Sequence, residues 1–157
     1  MSPETPAAAS RRRRTTVTQW ISADPTSIAL LLAGPTAFEL WPGVRRVAEV
    51  GGRVVVETDL APDRPAAASV RALPPRRTPT SYVSRFAWVG PGLPDTEAVL
   101  TLDYATADDG NAATSATLVL VSSGVEVGAL DDRALEAMAR GFLLNLAQAA
   151  QARSRAA

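Results

Sequence analysis

The side chains that could act chemically are concentrated in one short segment of the chain. Tyr82, Ser84, Phe86 and Trp88 alternate with other residues, so in a β-strand they would share one face. A phenol and a hydroxyl among large rings could orient an otherwise apolar ligand. The more common role for such a face is ordinary core packing.

The register of that strand decides which polar group faces the interior. With the opposite register Arg85 points inward and would anchor an anion or a carbonyl group; otherwise it lies in solvent. Asp103 and Tyr104 are neighbours, so at most one of them faces inward. We expect Tyr104 there, because a buried carboxylate without a partner is costly, and an Asp103–Arg85 cross-strand pair is the alternative. Tyr82, Arg85 and Tyr104 are the candidates for an acid or orienting group.

The composition excludes several kinds of chemistry. The chain has no histidine and no cysteine, and all 16 basic residues are arginine, balanced by 16 acidic residues. Disulfides, thiolate nucleophiles, Ser–His relays, Schiff-base lysines and P-loop phosphate binding are therefore excluded. No predicted helix has two carboxylates at metal-binding spacing, and we expect neither a metal ion nor a cofactor.

The first 14 residues differ from the rest of the chain. They are small and polar and end in the block Arg11–Arg14, without which the chain is mildly acidic. We interpret residues 1–14 as a solvated, disordered arm. The alternative is contact with nucleic acid or an anionic membrane. Because these 14 residues include no aromatic side chain that could stack on a base, no nucleic-acid partner is expected. No signal peptide or transmembrane segment is evident, so we expect a soluble cytoplasmic protein.

Periodicity predicts mainly strands. Asp24 and Pro25 are typical of a helix start, and two short helices, Thr26–Ala33 and Thr36–Trp41, follow the first strand. Val44 onward contains six further strand segments, with turn residues such as Gly51-Gly52 and Asp109-Gly110-Asn111 between them. The seven predicted strands are Thr15–Ser22, Val44–Val50, Arg53–Leu60, Ala66–Leu73, Thr80–Val89, Thr96–Thr106 and Ala113–Ser122.

The chain closes with a long amphipathic helix, predicted from a cap at Asp131 to about Arg153, with a short tail at 154–157. Asn145 lies at the edge of its apolar stripe and could contact a ligand, whereas Gly141 indicates close packing or a kink. Glu136 and Arg140 form a favourable pair on the opposite side. The stripe consists of Leu135, Met138, Ala139, Phe142, Leu146 and Ala149.

The predicted fold class is therefore α+β: an antiparallel, curved sheet of about seven strands wrapped around the closing helix. A space between sheet and helix is a natural ligand site. Trp41 lies at the end of the second short helix. Its side chain either opens and closes the entrance to that space or packs to hold the short helices together.

This order of elements resembles the helix-grip fold of the START/SRPBCC superfamily. Three features carry the resemblance: Ile21–Pro25, where the first strand passes into a helix; Leu40–Val47, with its Trp-Pro-Gly exit into the second strand; and the stripe of the closing helix. The resemblance spans residues 15–153, which we assign to one ligand-binding domain. It identifies a fold that hosts carriers, receptors and bacterial polyketide cyclases alike.

The resemblance implies a hydrophobic cavity that holds a lipid, polyketide or isoprenoid-like molecule. The alternative is a polyketide cyclase/aromatase-like or dehydratase-like enzyme that uses the same cavity. This chain lacks the histidines of many family enzymes, and its segment Leu73–Pro79 is expected to separate two strands and to fold over the cavity mouth. The candidate ligand-binding residues are Trp41, Tyr82, Ser84, Phe86, Trp88, Tyr104, Met138, Phe142 and Asn145.

A third hypothesis is an interaction module that docks through Arg11–Arg14 and the outer sheet face. The arginine-only, alanine-rich composition indicates a bacterial genome of high GC content. A dimer is compatible with the sequence, which does not fix the oligomeric state.

Overall fold

The computed structural model describes residues 12–51, 53–58, 66–89, 95–123 and 132–156. Helix α1 is Pro25–Leu32, a 3₁₀ helix follows at Pro35–Leu40, and the long helix α2 is Asp132–Ala156. The strands are β1 Arg12–Ile21, β2 Val44–Val50, β3 Arg53–Thr58, β4 Ala66–Arg77, β5 Ser81–Val89, β6 Asp95–Thr106 and β7 Ala112–Ser123.

The seven strands form one antiparallel sheet in the order β1-β7-β6-β5-β4-β3-β2. Helix α2 packs mainly against β1 and also contacts β7, α1 and the 3₁₀ helix. The sheet curls around this helix, so the predicted helix-grip α+β architecture is confirmed.

The start of α1 follows the predicted capping pattern. The Asp24 side chain accepts a hydrogen bond from the backbone N–H of Ser27 at 2.8 Å, and Pro25 occupies the first turn, where no intrahelical N–H partner is needed. The hydroxyl of Thr114 on β7 donates to the carbonyl of Ala23 at 2.8 Å in a buried position, which fixes the loop before α1 to the sheet. The predicted cap Asp131 lies outside the described residues.

The first strand starts three residues earlier than the sequence predicted. Arg12, Arg13 and Arg14 lie opposite Ser123, Ser122 and Val121 on β7, so the predicted arm overlaps the strand by these three arginines. These polar residues can continue β1 because β7 is long enough to pair with them, and sheet hydrogen bonds join backbone groups whatever the side chains are. Similarly, α2 extends to Ala156, into the segment predicted as a tail.

The proline-containing segment is part of the sheet rather than a cover over a cavity mouth. Strand β4 continues through Leu73 to Arg77, and its register shifts between Leu73 and Arg76, where Pro74 and Pro75 have no N–H to donate. A tight turn follows, in which the Thr78 hydroxyl accepts from the N–H of Ser81 at 2.9 Å. The expected position over the cavity mouth is therefore wrong for these residues.

The turn between β6 and β7 has the predicted chemistry. Gly110 has a φ of 81°, a left-handed conformation that favours glycine, and Asp109 accepts a hydrogen bond from the N–H of Asn111 at 3.0 Å.

Helix α2 buries a wider stripe than the sequence predicted. Met138 is only partly buried and Ala149 is half-buried, whereas Leu143, Ala147 and Ala150 are buried although they were not assigned to the stripe. Strands β1 and β7 contact this helix together with α1 and the 3₁₀ helix, so a broader face is covered than the sheet alone would require. The fully buried α2 side chains are Leu135, Ala139, Phe142, Leu143, Leu146 and Ala150.

Gly141 marks a close approach between α2 and the chain that leads into β2. A Cβ atom added at this position would lie 2.5 Å from Cγ of Pro42. The interpretation of Gly141 as a site of close packing is therefore confirmed.

Candidate functional site

The register of β5 places its aromatic side chains in the interior. Phe86 lies between Ala72 of β4 and Ala98 of β6, and pairing on both sides fixes which residues face inward. Trp88 shares this buried face with Phe86 and Tyr82. Ser84 shares the same face and is half-buried, whereas Arg85 is exposed on the other face, so Arg85 does not enter the interior.

Five aromatic rings from the 3₁₀ helix and its end residue, β5 and α2 meet between the sheet and α2, and we call them the aromatic cluster. Trp41 is only 2% exposed and stacks on Phe142, with ring centroids 4.2 Å apart. Trp41 also packs edge-on against Phe86 at 5.5 Å and Trp88 at 5.4 Å. Phe38 of the 3₁₀ helix approaches the same two rings at 5.8 and 6.1 Å. These T-shaped and stacked geometries are favourable, so the cluster holds the 3₁₀ helix, β5 and α2 together.

A small cavity lies beside the aromatic cluster. Its volume is about 50 Å³, enough for a water molecule or two but well below the roughly 300 Å³ at which ligand pockets begin. In this part of the interior, a larger ligand requires the rings to move apart. The lining residues are Leu32, Ala37, Phe38, Trp41, Ala72, Ser84, Phe86 and Phe142.

Two hydroxyl groups face the interior from β5. Burial raises the pKa of the Tyr82 phenol above its ordinary value of 10.0, although the positive charge of Arg77 opposes that shift. The Arg77 guanidinium lies 5.5 Å from the centroid of the Tyr82 ring. Neither the Tyr82 nor the Ser84 hydroxyl makes a hydrogen bond to any residue in the described ranges. Since no fully buried side-chain oxygen among the described residues lacks a partner, both hydroxyl oxygens retain some access to solvent, and the Tyr82 phenol is protonated at neutral pH.

Other predicted site residues have different surroundings. The side-chain amide of Asn145 donates to the carbonyl of Leu40 at 2.8 Å and so satisfies the end of the 3₁₀ helix. Tyr104 shares the inner face of β6 with Leu100 and Leu102, opposite the buried Thr114, but it lies near the end of the strand and is 46% exposed. Asp103 is opposite Ser81, four residues from Arg85 along β5, and the predicted Asp103–Arg85 pair does not form.

Sequence analysis missed Phe38. Phe38 and Trp41 are three residues apart, and side chains at that spacing align on one side of a 3₁₀ helix. Assigning this segment as 3₁₀ rather than as a generic short helix would have placed both rings together.

The described part of the chain contains no cluster of three or more acidic side chains that could hold a metal ion. Within the same residues, no helix combines the length and apolar character needed to cross a membrane.

No protein-family model matches the chain, and no curated protein matches it. Solved structures do resemble it. The ZhuI aromatase/cyclase from Streptomyces sp. R1128 aligns over 93% of this chain and 98% of its own, with 18% identity and a TM-score of 0.60. A conserved protein from Geobacillus kaustophilus aligns over 88% and 95%, with 12% identity and a TM-score of 0.63.

The two-domain aromatase/cyclase StfQ from the steffimycin biosynthetic pathway also aligns, over 91% of this chain and 52% of its own, with 13% identity and a TM-score of 0.56. At these identities the similarity establishes the fold alone, a helix-grip fold that this chain shares with the two aromatase/cyclase structures.

Proposed function

We propose that this chain, a helix-grip protein of the polyketide cyclase-like SRPBCC type, binds a small hydrophobic ligand between the sheet and α2. The observation that carries the proposal is the aromatic cluster with the Ser84 side chain lining the cavity beside it, while Tyr82 lies further along the same face of β5; neither hydroxyl bonds to another described residue. Rings supply apolar contact area, and a few hydroxyls fix the orientation of a polar atom in the ligand.

The ligand enters by displacing the rings of the 3₁₀ helix. Phe38 is only half-buried and belongs to a helix of six residues, whose hydrogen-bond geometry is weaker than that of an α-helix. Trp41 is the more deeply buried ring, and its stacking on Phe142 is replaced by stacking on the ligand. This route favours flat or flexible apolar molecules, which include polyketide, isoprenoid and lipid chains.

The test compares ligand binding in two variants that each enlarge one serine. Ser84→Leu fills the interior beside the cavity, whereas Ser115→Leu makes the same change on the outer face of β7. Binding of oleate, geraniol and 2-naphthol is followed by tryptophan fluorescence and by thermal stabilisation, and native mass spectrometry identifies any co-purified molecule. We expect at least one probe to bind the parent and to lose at least about tenfold in affinity in Ser84→Leu only. Equal affinity in both variants, or no binding to the parent, would overturn the proposal.

A second candidate function is catalysis of polyketide cyclisation or dehydration. Its support is the presence of two aromatase/cyclases among the structural neighbours, together with the protonated Tyr82 hydroxyl on the interior face. A phenol in that state can donate a hydrogen bond to a carbonyl group, or a proton to the oxyanion that develops from it. Arg85, a catalytic candidate from the sequence, is excluded from this role because it lies on the outer face.

Tyr82→Phe separates the two functions. An enzyme would lose turnover of an aromatic polyketide mimic by about a hundredfold or more while it keeps ligand affinity, and a carrier would show no turnover in any variant. Thr101→Val removes a hydroxyl from the outer face of the neighbouring strand and serves as the matched control.

The raised pKa of Tyr82 also predicts a pH dependence of stability. The folded state favours the neutral phenol, so this contribution is fully present below the ordinary pKa of 10.0 and is lost as pH rises through the higher folded-state pKa. We expect the free energy of unfolding to fall above about pH 10, and to fall less steeply in Tyr82→Phe. Urea denaturation between pH 8 and 11 measures this difference, and parallel curves for the two proteins would contradict it.

A further inference from the structure

A second cavity lies on the outer face of the sheet, away from α2. Its volume is about 320 Å³, the size at which small-molecule pockets begin. We call it the outer groove; its outward-facing lining residues are Arg71, Leu73, Arg85, Ala87, Glu97 and Val99, from β4, β5 and β6.

Strand register builds the outer groove from two adjacent rows. Arg71 lies opposite Ala87 in one row, and Leu73 lies opposite Arg85 in the next. Arg71 and Arg85 are therefore diagonal neighbours, a spacing at which long side chains reach a common point. Leu73 is 53% exposed, with Arg85 opposite it on β5 and Arg71 two residues before it on β4.

The two guanidinium groups have no protein counter-ion among the described residues. Neither Arg71 nor Arg85 forms an ion pair there, although Glu97 lines the same groove. Ala87 separates Arg71 from Glu97 across the strands. The groove thus holds two positive charges and one negative charge, a net charge that one bound anion neutralises.

The floor of the outer groove is apolar. Ala87 and Val99 are half-buried there, and Leu73 adds an exposed isobutyl group. Exposed apolar surface beside arginines suits a ligand that has both an anionic group and a hydrocarbon part, because the guanidinium plane binds a carboxylate through two hydrogen bonds.

We propose that the outer groove binds small monocarboxylates that carry a short alkyl or aryl group. Arg71 and Arg85 hold the carboxylate, and the hydrocarbon part covers Leu73 and Val99. Glu97 disfavours a second negative charge at the other end of the ligand, so dicarboxylates bind more weakly. This site is separate from the interior cavity, since neighbouring residues of β5 point to opposite faces of the sheet.

The test is an amide NMR titration with three probes of matched length: octanoate, octan-1-ol and suberate. We expect octanoate to shift amide signals of β4, β5 and β6 around Leu73, Arg85 and Val99, and to bind at least about tenfold more tightly than the other two. Octan-1-ol binding equally well, or octanoate shifts confined to the aromatic cluster, would overturn the proposal. Those interior shifts would instead bear on the proposed function, so the two hypotheses fail independently.

Charge variants complete the test. Arg71→Gln and Arg85→Gln each lower octanoate affinity by about tenfold or more, and the loss decreases at high salt. Arg46→Gln removes an exposed arginine from β2, outside the groove, and leaves the affinity unchanged. Circular dichroism and thermal unfolding verify that each variant is folded. Unchanged affinity in a folded Arg71→Gln/Arg85→Gln double variant overturns the assignment.

Discussion

The two halves of the sheet are packed to different degrees. In the half formed by β1, β7 and β6, the inner-face leucines are completely buried beneath α1 and α2: Leu100, Leu102, Leu118 and Leu120. In the half formed by β2, β3 and β4, Val56 is the one fully buried side chain among those described, and residues 71–77 of β4 are all exposed. We call these the packed half and the open half.

The difference indicates where stability resides and where the proposed binding would take place. Burial of apolar area stabilises the packed half. In the open half, most described side chains remain exposed or only partly buried and contribute less to stability. The aromatic cluster lies at the boundary, where β5 and the 3₁₀ helix meet α2. A protein built this way can rearrange rings for a ligand without losing most of its core.

The largest expected effect separates the two halves directly. Leu118→Ala removes a completely buried side chain from the packed half and should lower the free energy of unfolding by about 2–5 kcal/mol. Leu73→Ala makes the same change on the open half, at a side chain that is 53% exposed, and should cost less than about 1 kcal/mol. Urea denaturation measures both, and similar losses would show that the halves do not differ.

A smaller effect is expected at the boundary, where α2 approaches the chain leading into β2. Gly141→Ala improves helix propensity but places Cβ 2.5 Å from the rigid ring of Pro42, so we expect a net loss of about 1–2 kcal/mol. Pro42→Ala in the same chain removes the obstructing ring atom. The double variant should therefore recover much of the loss, and strictly additive effects of the two changes would contradict a direct clash.

Asn145→Ala tests the other contact at this boundary. The substitution removes the 2.8 Å hydrogen bond to the Leu40 carbonyl and should destabilise the protein by about 1 kcal/mol. Gln148→Ala changes an exposed amide one turn further along α2 and should have little effect. A larger loss in Gln148→Ala than in Asn145→Ala would contradict the assigned role.

The smallest effect is expected on the solvent face of α2. Glu136→Gln removes an ion pair with Arg140 whose atoms are 2.8 Å apart but whose side chains are 49% and 63% exposed. The loss should not exceed about 0.5 kcal/mol and should decrease with added salt. A loss comparable to that of Leu118→Ala would mean that α2 is stabilised by its own surface rather than by the packed half.

The fold could be predicted from the sequence because its signals are local. Capping at Asp24 and the turn at Gly110 depend on residues a few positions away, and both were predicted. Alternation along β5 likewise placed Tyr82, Phe86 and Trp88 on one face.

Features of the site that depend on long-range pairing could not be predicted. The orientation of Ser84 against Arg85 depends on how β5 pairs with β4 and β6, which alternation alone leaves open. The hydrogen bond from Asn145 joins groups 105 residues apart, and Tyr104 is exposed because β6 extends past the covered interior. The outer groove is likewise assembled from three strands whose relative register the sequence does not state.

The alternation along β5 has a consequence for insertions and deletions. One residue added or removed within this strand before Ser84 would turn Phe86 and Trp88 to the outer surface and Arg85 toward α2. Such a change would remove the aromatic cluster and the outer groove at once, although point substitutions can alter either alone. An insertion or deletion in β5 therefore affects the aromatic cluster and the outer groove together, whereas a point substitution affects only the face on which its side chain lies.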